Sequence, residues 1–287
     1  MPVWRRAISP EFLSWLEVIV LGIVQGLTEF LPISSSAHLR IVGALLPSGE
    51  DPGAAFSAIT QIGTEAAVLL YFRKDIWRIA FAWLRSPTGK RAAEAQDVRM
   101  AWLVILGTLP IAILGLAFKD AIEGTLRNLY ITASMLIVFG IVLGVADRIG
   151  RRGRDLDDLG LRSGILLGFA QAMALIPGVS RSGGTISVGL FLGFTREAAA
   201  RYSFLLAIPA VLASGFYELI RHWGDFGPFD FAQTAAATLV AFVIGYFVIV
   251  GFLRLISTRS FMPFVWYRIV AGGAILIAVS LGLLPAV

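Results

Sequence analysis

Residues 22–36 read GIVQGLTEFLPISSS, and residues 168–182 read GFAQAMALIPGVSRS. Both stretches follow the pattern G-x-x-Q-x8-S-x-S, and they are offset by 146 residues. A further match lies downstream, where residues 108–115 and 238–245 share the pattern T-L-x5-G. We interpret the two copies as the halves of an internal repeat. The alternative is that small and polar residues recur because helix packing in lipid favours them.

The composition is that of an integral membrane protein. Of the 287 residues, 57% are hydrophobic and only 15% are charged, and the mean hydropathy is +0.80. A soluble domain is about half apolar and about a quarter charged, so a soluble enzyme, a disordered protein and a secreted disulfide scaffold are excluded. The chain has no cysteine, which excludes a thiolate nucleophile and a Cys-ligated metal. The net charge of +5 is assigned to loops that set membrane orientation, so no nucleic-acid partner is expected.

Long, nearly uncharged runs predict the membrane crossings. Four runs are long enough: residues 100–118, 129–146, 231–253 and 269–287. Two others, 54–72 with Glu65 and the short 202–217 with Pro209, are also interpreted as crossings, which makes six. Two other apolar regions, 18–47 and 163–194, are each interrupted by proline and serine. Because irregular backbone at membrane depth survives only inside protein or beside a cavity, we predict that both are re-entrant helical hairpins. The predicted fold is therefore an all-α polytopic membrane protein with six transmembrane helices and two re-entrant hairpins. It is one domain, 1–287, with an inverted-topology repeat whose halves cover about 12–147 and about 160–287.

Loop charge predicts the orientation. Loops 73–99, 147–162 and 254–268 are rich in Lys and Arg, whereas loops 119–128 and 218–230 are poorer in them. The positive-inside rule places the first three in the cytoplasm and the last two outside. Both termini are then outside, the first hairpin enters from outside, and the second enters from inside.

The first polar segment, residues 25–38, reads QGLTEFLPISSSAH. Gln25 and Glu29 are four apart and share a helix face. Proline stops that helix, and the serines that follow can cap the next one. His38 lies three residues after Ser35, so the spacing predicts that it reaches Ser35 on one face. Polar groups inside an apolar region are costly and usually functional; the alternative is that Glu29 and His38 only satisfy each other.

The second polar segment, residues 177–185, reads PGVSRSGGT. It holds Arg181, with glycines that let backbone approach a ligand and with the hydroxyls of Ser180, Ser182 and Thr185. A guanidinium beside free N–H groups at a helix start favours phosphate binding. The alternative is a snorkelling arginine with serine caps. If the two segments meet, a carboxylate, an imidazole and hydroxyls would face a phosphate site, which suggests phosphate-ester or anhydride chemistry on a membrane substrate.

The two segments resemble the signatures of the undecaprenyl-diphosphatase family of the bacitracin-resistance type. The first matches (E/Q)-x3-E followed by P-x-S-S-x-x-H, and the second matches P-G-x-S-R-S-x-x-T. The likeness extends to AFSAITQIGT at 55–64 and FMPFVWYRI at 261–269. It implies hydrolysis of undecaprenyl pyrophosphate to the monophosphate, which recycles the lipid carrier of wall synthesis. It also implies a bacterial inner membrane location, an active site open to the extracytoplasmic side, and a divalent cation, Mg²⁺ or Ca²⁺.

The resemblance also implies residue roles at the matched positions. Glu29 and His38 correspond to the acid/base pair, and Ser35 to a nucleophilic or substrate-contacting serine. Ser180, Arg181 and Thr185 match the family's pyrophosphate-binding residues, and the predicted pyrophosphate-binding set also includes Ser34 and Ser182. Position 25 is Gln where some members have Glu, which removes one candidate metal ligand. Gln25 is therefore predicted to be a supporting residue, and Glu29 is the candidate metal ligand. Gln61 is also predicted to be a supporting residue.

Other interpretations stay open at the level of sequence. An inverted repeat around a central anion site is also typical of a secondary transporter or flippase, in which Glu29 and His38 would relay protons and Arg181 would anchor the substrate. Glu65, four residues after Gln61, is either a metal group or a hydrogen-bonding partner of a neighbouring helix. Arg268 is predicted to be an interface anchor, with contact to phosphate as the alternative. The protein's partners are expected to be the lipid substrate, membrane lipids and a second copy in a homodimer.

Overall fold

The computed structural model describes residues 10–49, 51–85, 95–224 and 226–286, and the regular structure in these ranges is helical. The α-helices there are α1 (Pro10–Thr28), α2 (Ser35–Leu45), α3 (Gly53–Tyr71), α4 (Arg73–Arg85), α5 (Ala95–Ala117), α6 (Lys119–Glu123), α7 (Leu129–Ile149), α8 (Leu161–Ala172), α9 (Arg181–Phe191), α10 (Arg196–Arg221), α11 (Phe231–Thr258) and α12 (Met262–Ser280). Short 3-10 turns cover Leu156–Asp158 and Met173–Leu175.

Six of these helices are long and apolar enough to cross a membrane: α3, α5, α7, α10, α11 and α12. Each overlaps one of the six predicted crossings, so that prediction is confirmed. The apolar parts of α1 and α8 are shorter, and each leads into one of the polar segments. Large apolar side chains such as Leu109, Leu239 and Phe247 point outward from the long helices, as expected for surfaces that contact lipid.

Two predicted boundaries are wrong. The last crossing begins at Met262 and ends at Ser280, whereas the sequence predicts 269–287. The prediction places Arg268 in the loop 254–268 as an interface anchor, but this arginine is buried inside α12. The predicted loop 73–99 begins with the helix α4, and its Lys90 and Arg91 lie outside the described residues.

Close helix contacts at small residues build the bundle. Helix α3 packs against α10 and α11, α1 packs against α11, α5 packs against α8, and α7 packs against α12. A Cβ atom on Gly63 of α3 would lie 2.0 Å from the Thr238 carbonyl oxygen of α11. A Cβ on Gly168 of α8 would lie 2.4 Å from the Gly107 carbonyl oxygen of α5. These backbone contacts are the small-residue packing that holds helices together in lipid.

An aromatic core supports the end of α1. Phe30, directly after Glu29, is buried and packs edge-on against Phe204 of α10, with ring centroids 5.4 Å apart. Phe204 in turn contacts Phe72 and Phe252. This packing anchors the chain where α1 stops, directly beside Glu29.

Candidate active site

A buried carboxylate, that of Glu29, lies at the centre of the first polar segment. Its Oε2 accepts hydrogen bonds from the Ser35 hydroxyl at 2.6 Å and from the Gln25 amide at 2.8 Å. Its Oε1 accepts a hydrogen bond from the Arg181 guanidinium at 2.6 Å. Glu29 is only 7% exposed, so the pair is poorly screened. One carboxylate therefore joins a hydroxyl of the first polar segment to the guanidinium of the second.

Ser35 and Arg181 occupy corresponding places in the backbone. Each is the first residue of an eleven-residue helix, α2 or α9. Each follows a serine with left-handed backbone, Ser34 with φ 73° and Ser180 with φ 70°. Such a conformation is costly outside glycine, and it persists where surrounding contacts impose it, as at active sites. The two bends direct the starts of both helices at Glu29.

The remaining predicted phosphate-binding hydroxyls make local contacts. Ser34 shares a hydrogen bond with Ser36 at 3.2 Å, and Ser180 shares one with Ser182 at the same distance. The Ser180 hydroxyl also accepts a hydrogen bond from the Gly183 N–H and so caps α9. These serines shape the helix starts beside Arg181.

Two hydroxyls of the second polar segment point at carbonyls. Thr185 is fully buried and donates to the Arg181 carbonyl at 2.7 Å, so its hydroxyl is engaged within α9. Ser182 donates to the Leu31 carbonyl at 3.2 Å, which links the two polar segments. In this arrangement Thr185 supports the helix and Ser182 supports the junction.

The two ring nitrogens of His38 bond residues other than Ser35. Its Nδ1 lies 2.7 Å from the Ser34 carbonyl, and its Nε2 lies 2.6 Å from the hydroxyl of Tyr267 on α12. The two rings are stacked at 13°, with centroids 5.5 Å apart. The expected contact between His38 and Ser35 is not formed, because the Ser35 hydroxyl is bonded to Glu29.

Arg268, next to Tyr267, is fully buried, so its prediction as an interface anchor is wrong. Its guanidinium donates to the Pro32 carbonyl at 2.8 Å, and to the carbonyls of Gly178 and Val179 at 2.8 and 2.9 Å. Its Nε also donates to the Leu136 carbonyl at 3.1 Å. The breaks in the two polar segments free carbonyls from helix pairing, and Arg268 supplies donors to both. It therefore ties the two breaks and α7 to α12.

A second buried carboxylate, that of Glu65 on α3, approaches the same guanidinium. Its Oε2 lies 3.9 Å from an Arg181 nitrogen, and both of its oxygens lack hydrogen-bond partners. The Gln25 Oε1 is likewise buried and unpartnered. Within the described ranges, the Gln61 side chain makes no hydrogen bond to Gln25, Glu29, Glu65 or Arg181. No contact therefore supports its predicted supporting role.

These oxygens fit a divalent cation. Among the described residues no three His, Cys, Asp or Glu side chains come together as a self-contained metal site. Glu29, Glu65 and the Gln25 amide oxygen nevertheless form an oxygen-only donor set, and three of their buried oxygen atoms lack partners. Mg²⁺ usually takes one or two carboxylates and completes its shell with substrate phosphates and water. The donor set therefore suits a cation that shares its ligands with a phosphate substrate.

A cavity of about 620 Å³ lies elsewhere and shares no lining residue with this site. Its lining includes Asp75, Arg78, Asp97 and Arg201. Asp75 pairs with both arginines at 3.2 to 3.3 Å, and Asp97 pairs with Arg78 at 3.0 Å. Asp155, Asp157 and Glu197 also line it, so carboxylates outnumber arginines there and the cavity does not favour a phosphate anion.

The comparisons with known proteins decide the family. A family model described as bacitracin resistance protein BacA matches residues 18–274, which is most of the chain and includes both polar segments. The chain belongs to this family. The match also covers Glu65 and the Tyr267–Arg268 pair, so every group described at the site lies within the BacA-type region.

Full-length relatives agree with the BacA family model. Undecaprenyl-diphosphatase 2 of Agrobacterium fabrum is 64% identical over 274 residues, covering 96% of this chain and 99% of the relative. Undecaprenyl-diphosphatase of Paenarthrobacter aurescens is 60% identical over 277 residues, covering 96% of this chain and all of the relative. The protein of the same name from Micrococcus luteus is 56% identical over 277 residues, with the same coverage.

Proposed function

We propose that this protein hydrolyses undecaprenyl pyrophosphate to undecaprenyl phosphate and inorganic phosphate, which recycles a lipid carrier of cell-wall synthesis. The observation that carries the proposal is the contact of Glu29 with both Ser35 and Arg181. A base, a hydroxyl and an anion-binding guanidinium then converge among apolar helices, where a prenyl chain can remain in lipid. The names of the relatives give the substrate class.

The proposed topology is an inverted repeat in which α1–α2 and α8–α9 are re-entrant hairpins. The support is the pair of matched bends at Ser34 and Ser180, which are 146 residues apart, like the sequence repeat. The packing of α1 on α11 and of α8 on α5 is also related by exchange of the two halves. In the bacterial inner membrane, the orientation predicted by the positive-inside rule would have the site open to the extracytoplasmic side. A homodimer remains a prediction, which cross-linking in native membranes would test.

The first half of the proposed reaction uses Ser35. The substrate diphosphate takes the place of the Glu29 carboxylate on Arg181, since both are anions suited to a guanidinium fork. Glu29 then accepts the Ser35 hydroxyl proton as the Ser35 oxygen attacks the terminal phosphorus. The new O–P bond forms as the bridging P–O bond breaks, and undecaprenyl phosphate leaves with the bond's electron pair.

The second half restores the serine. A water oxygen bonds to the phosphorus, the Ser35 O–P bond breaks, and inorganic phosphate is released. Glu29 returns its proton to the Ser35 oxygen, and His38 accepts a proton from that water at Nε2. The group that would hold Mg²⁺ or Ca²⁺ is Glu29, Glu65 and the Gln25 oxygen, and a bound cation would neutralise charge on the phosphates.

The experiment is phosphate release from the C55 pyrophosphate by purified protein in detergent. Wild type is expected to release phosphate, and Glu29→Gln and Arg181→Ala are each expected to lose activity by about 10²-fold or more. Ser57→Ala is the matched control, because its hydroxyl only bonds the Gly53 carbonyl of its own helix. Retained activity in Arg181→Ala, or none in wild type, would overturn the proposal.

Acid quenching during turnover tests the serine route. Mass spectrometry is expected to find phosphoserine at Ser35, and none in Ser35→Ala. Full activity of Ser35→Ala would refute the covalent route and leave direct attack by water.

A secondary transporter or flippase is the second candidate, and the buried Glu29–Arg181 pair at two helix breaks favours it. Reconstitution in liposomes separates the two functions. A flippase would move the intact lipid between leaflets without releasing phosphate.

A further inference from the structure

The protonation of the His38 ring follows from its two partners. The Ser34 carbonyl, 2.7 Å from Nδ1, can only accept a hydrogen bond. Nδ1 must therefore carry a hydrogen whether the ring is neutral or charged. The neutral ring then has one lone pair, on Nε2, and His38 can gain or lose a proton only at that nitrogen.

Nε2 faces Tyr267. The hydroxyl oxygen is 2.6 Å away, so the tyrosine O–H donates to the neutral ring. Ring stacking at 13° fixes the relative orientation of the two side chains. The next residue, Arg268, anchors α12 to carbonyls of both polar segments, which sets the position of Tyr267. Tyr267 is 46% exposed, so this end of the imidazole is accessible from outside the core.

We propose that Tyr267 is a positioning residue: its hydroxyl hydrogen-bonds Nε2, the basic nitrogen of His38, and orients the ring for proton transfer. This inference rests on the proposed function. His38 gains and loses its proton at Nε2, the nitrogen that faces Tyr267. The Ser35 hydroxyl instead donates to Glu29, which is its own proton acceptor. The two proton acceptors of the reaction are thereby divided: Glu29 acts in serine attack, and His38 with Tyr267 acts in the attack by water.

The chain offers a direct spectroscopic test because it has only two histidines, His38 and His222. In a His222→Gln background, ¹⁵N-histidine labelling leaves one imidazole to observe by NMR. At a pH where the ring is neutral, the expected spectrum has a protonated Nδ1 and a hydrogen-bonded, unprotonated Nε2. Tyr267→Phe keeps the aromatic ring, and it should move the Nε2 signal towards that of a free lone pair while Nδ1 stays protonated.

Tyr130→Phe is the matched control. Tyr130 is 43% exposed, and its hydroxyl has no hydrogen-bond partner among the described residues. This variant should leave both imidazole signals unchanged. A protonated Nε2 in the neutral wild-type ring, or an Nε2 signal that ignores Tyr267→Phe, would overturn the proposal. These spectra need no substrate, so their outcome is separate from whether the protein hydrolyses the proposed lipid.

Kinetics supply the second readout. Tyr267→Phe should lower kcat by roughly 100-fold, the lower end of the usual general acid–base contribution. KM should fall together with kcat, so that kcat/KM stays within about twofold of wild type, because binding at Arg181 and serine attack precede the slowed step. Phosphoserine at Ser35 should accumulate, since the second half of the reaction slows. An unchanged kcat, or a loss confined to KM, would contradict the positioning role.

Discussion

Replacing Arg268 by methionine tests what holds the two polar segments together. Methionine keeps much of the side-chain length and removes every donor. Five carbonyls then lose their Arg268 partner, those of Pro32, Met135, Leu136, Gly178 and Val179. Because the side chain is fully buried, water does not readily replace these bonds. We therefore expect Arg268→Met to destabilise the junction of α7 and α12 with the two breaks.

The magnitude follows from the same contacts. Each buried acceptor left unsatisfied costs about 1–3 kcal/mol. Removing a buried charge returns part of this cost, since its desolvation penalty disappears. A net loss of about 3 kcal/mol remains, equivalent to one or two unsatisfied acceptors beyond the returned desolvation penalty. At about 2–4 °C per kcal/mol, the melting temperature should fall by roughly 6–12 °C. Arg268→Lys keeps a charge but loses the planar fork, so it should fall between wild type and Arg268→Met.

The assay is thermal unfolding in detergent, followed by intrinsic fluorescence. Arg78→Met is the control, since the Arg78 side chain is 63% exposed and pairs with Asp75 and Asp97. Exposed pairs of this kind are worth about 0–1 kcal/mol each, so the control should melt closer to wild type than Arg268→Met does. The reasoning is wrong if Arg268→Met melts within about 2 °C of wild type, which is less than one kcal/mol on this scale.

Two smaller predictions use the same assay. Gly63→Ala should cost about 1–3 kcal/mol, because its Cβ would lie 2.0 Å from the Thr238 carbonyl oxygen; Gly251→Ala, with nothing within 4 Å, should be neutral or stabilising by up to about 1 kcal/mol. Equal melting temperatures for the two variants would contradict this packing. Burial alone would raise the pKa of Asp51, but hydrogen bonds from Arg127 hold that pKa below its ordinary 3.8. Its stabilisation is therefore complete above the unfolded-state value and is lost as pH falls through the folded-state pKa. As the pH falls from about 3.8 through the lower folded-state pKa of Asp51, the melting temperature of wild type should drop more steeply than that of Asp51→Asn, and parallel curves would contradict this prediction.

Hydropathy was sufficient to predict the six crossings, because a membrane helix must be apolar along its whole length. It failed at α12, where a single arginine led to the prediction of a turn. The sequence does not reveal that Arg268 would meet carbonyls of Pro32 and Gly178. Those carbonyls become acceptors only because the chain breaks there, and their proximity to α12 depends on tertiary packing.

The site shows a similar limit. Helix spacing correctly placed Gln25 beside Glu29, since both belong to one turn or its direct extension. The same rule predicted contact between Ser35 and His38, and this was wrong. Side chains at a helix start lean towards the preceding turn, so Ser35 points back across the break to Glu29. His38 turns to Tyr267, a residue 229 positions away that no local spacing could identify.

The proposed repeat explains how one backbone design carries two kinds of chemistry. At the shared offset, Ser35 corresponds to Arg181, and both begin equivalent helices. Glu29 corresponds to Leu175, so only the first half supplies a carboxylate, and that carboxylate bonds to both helix starts. A second carboxylate at position 175 would compete with phosphate for Arg181 and would repel the substrate. In the proposed hydrolysis, the two halves therefore share the same backbone bend but carry different groups. The first half supplies the Glu29 carboxylate as the base, and the second supplies the Arg181 guanidinium that binds phosphate.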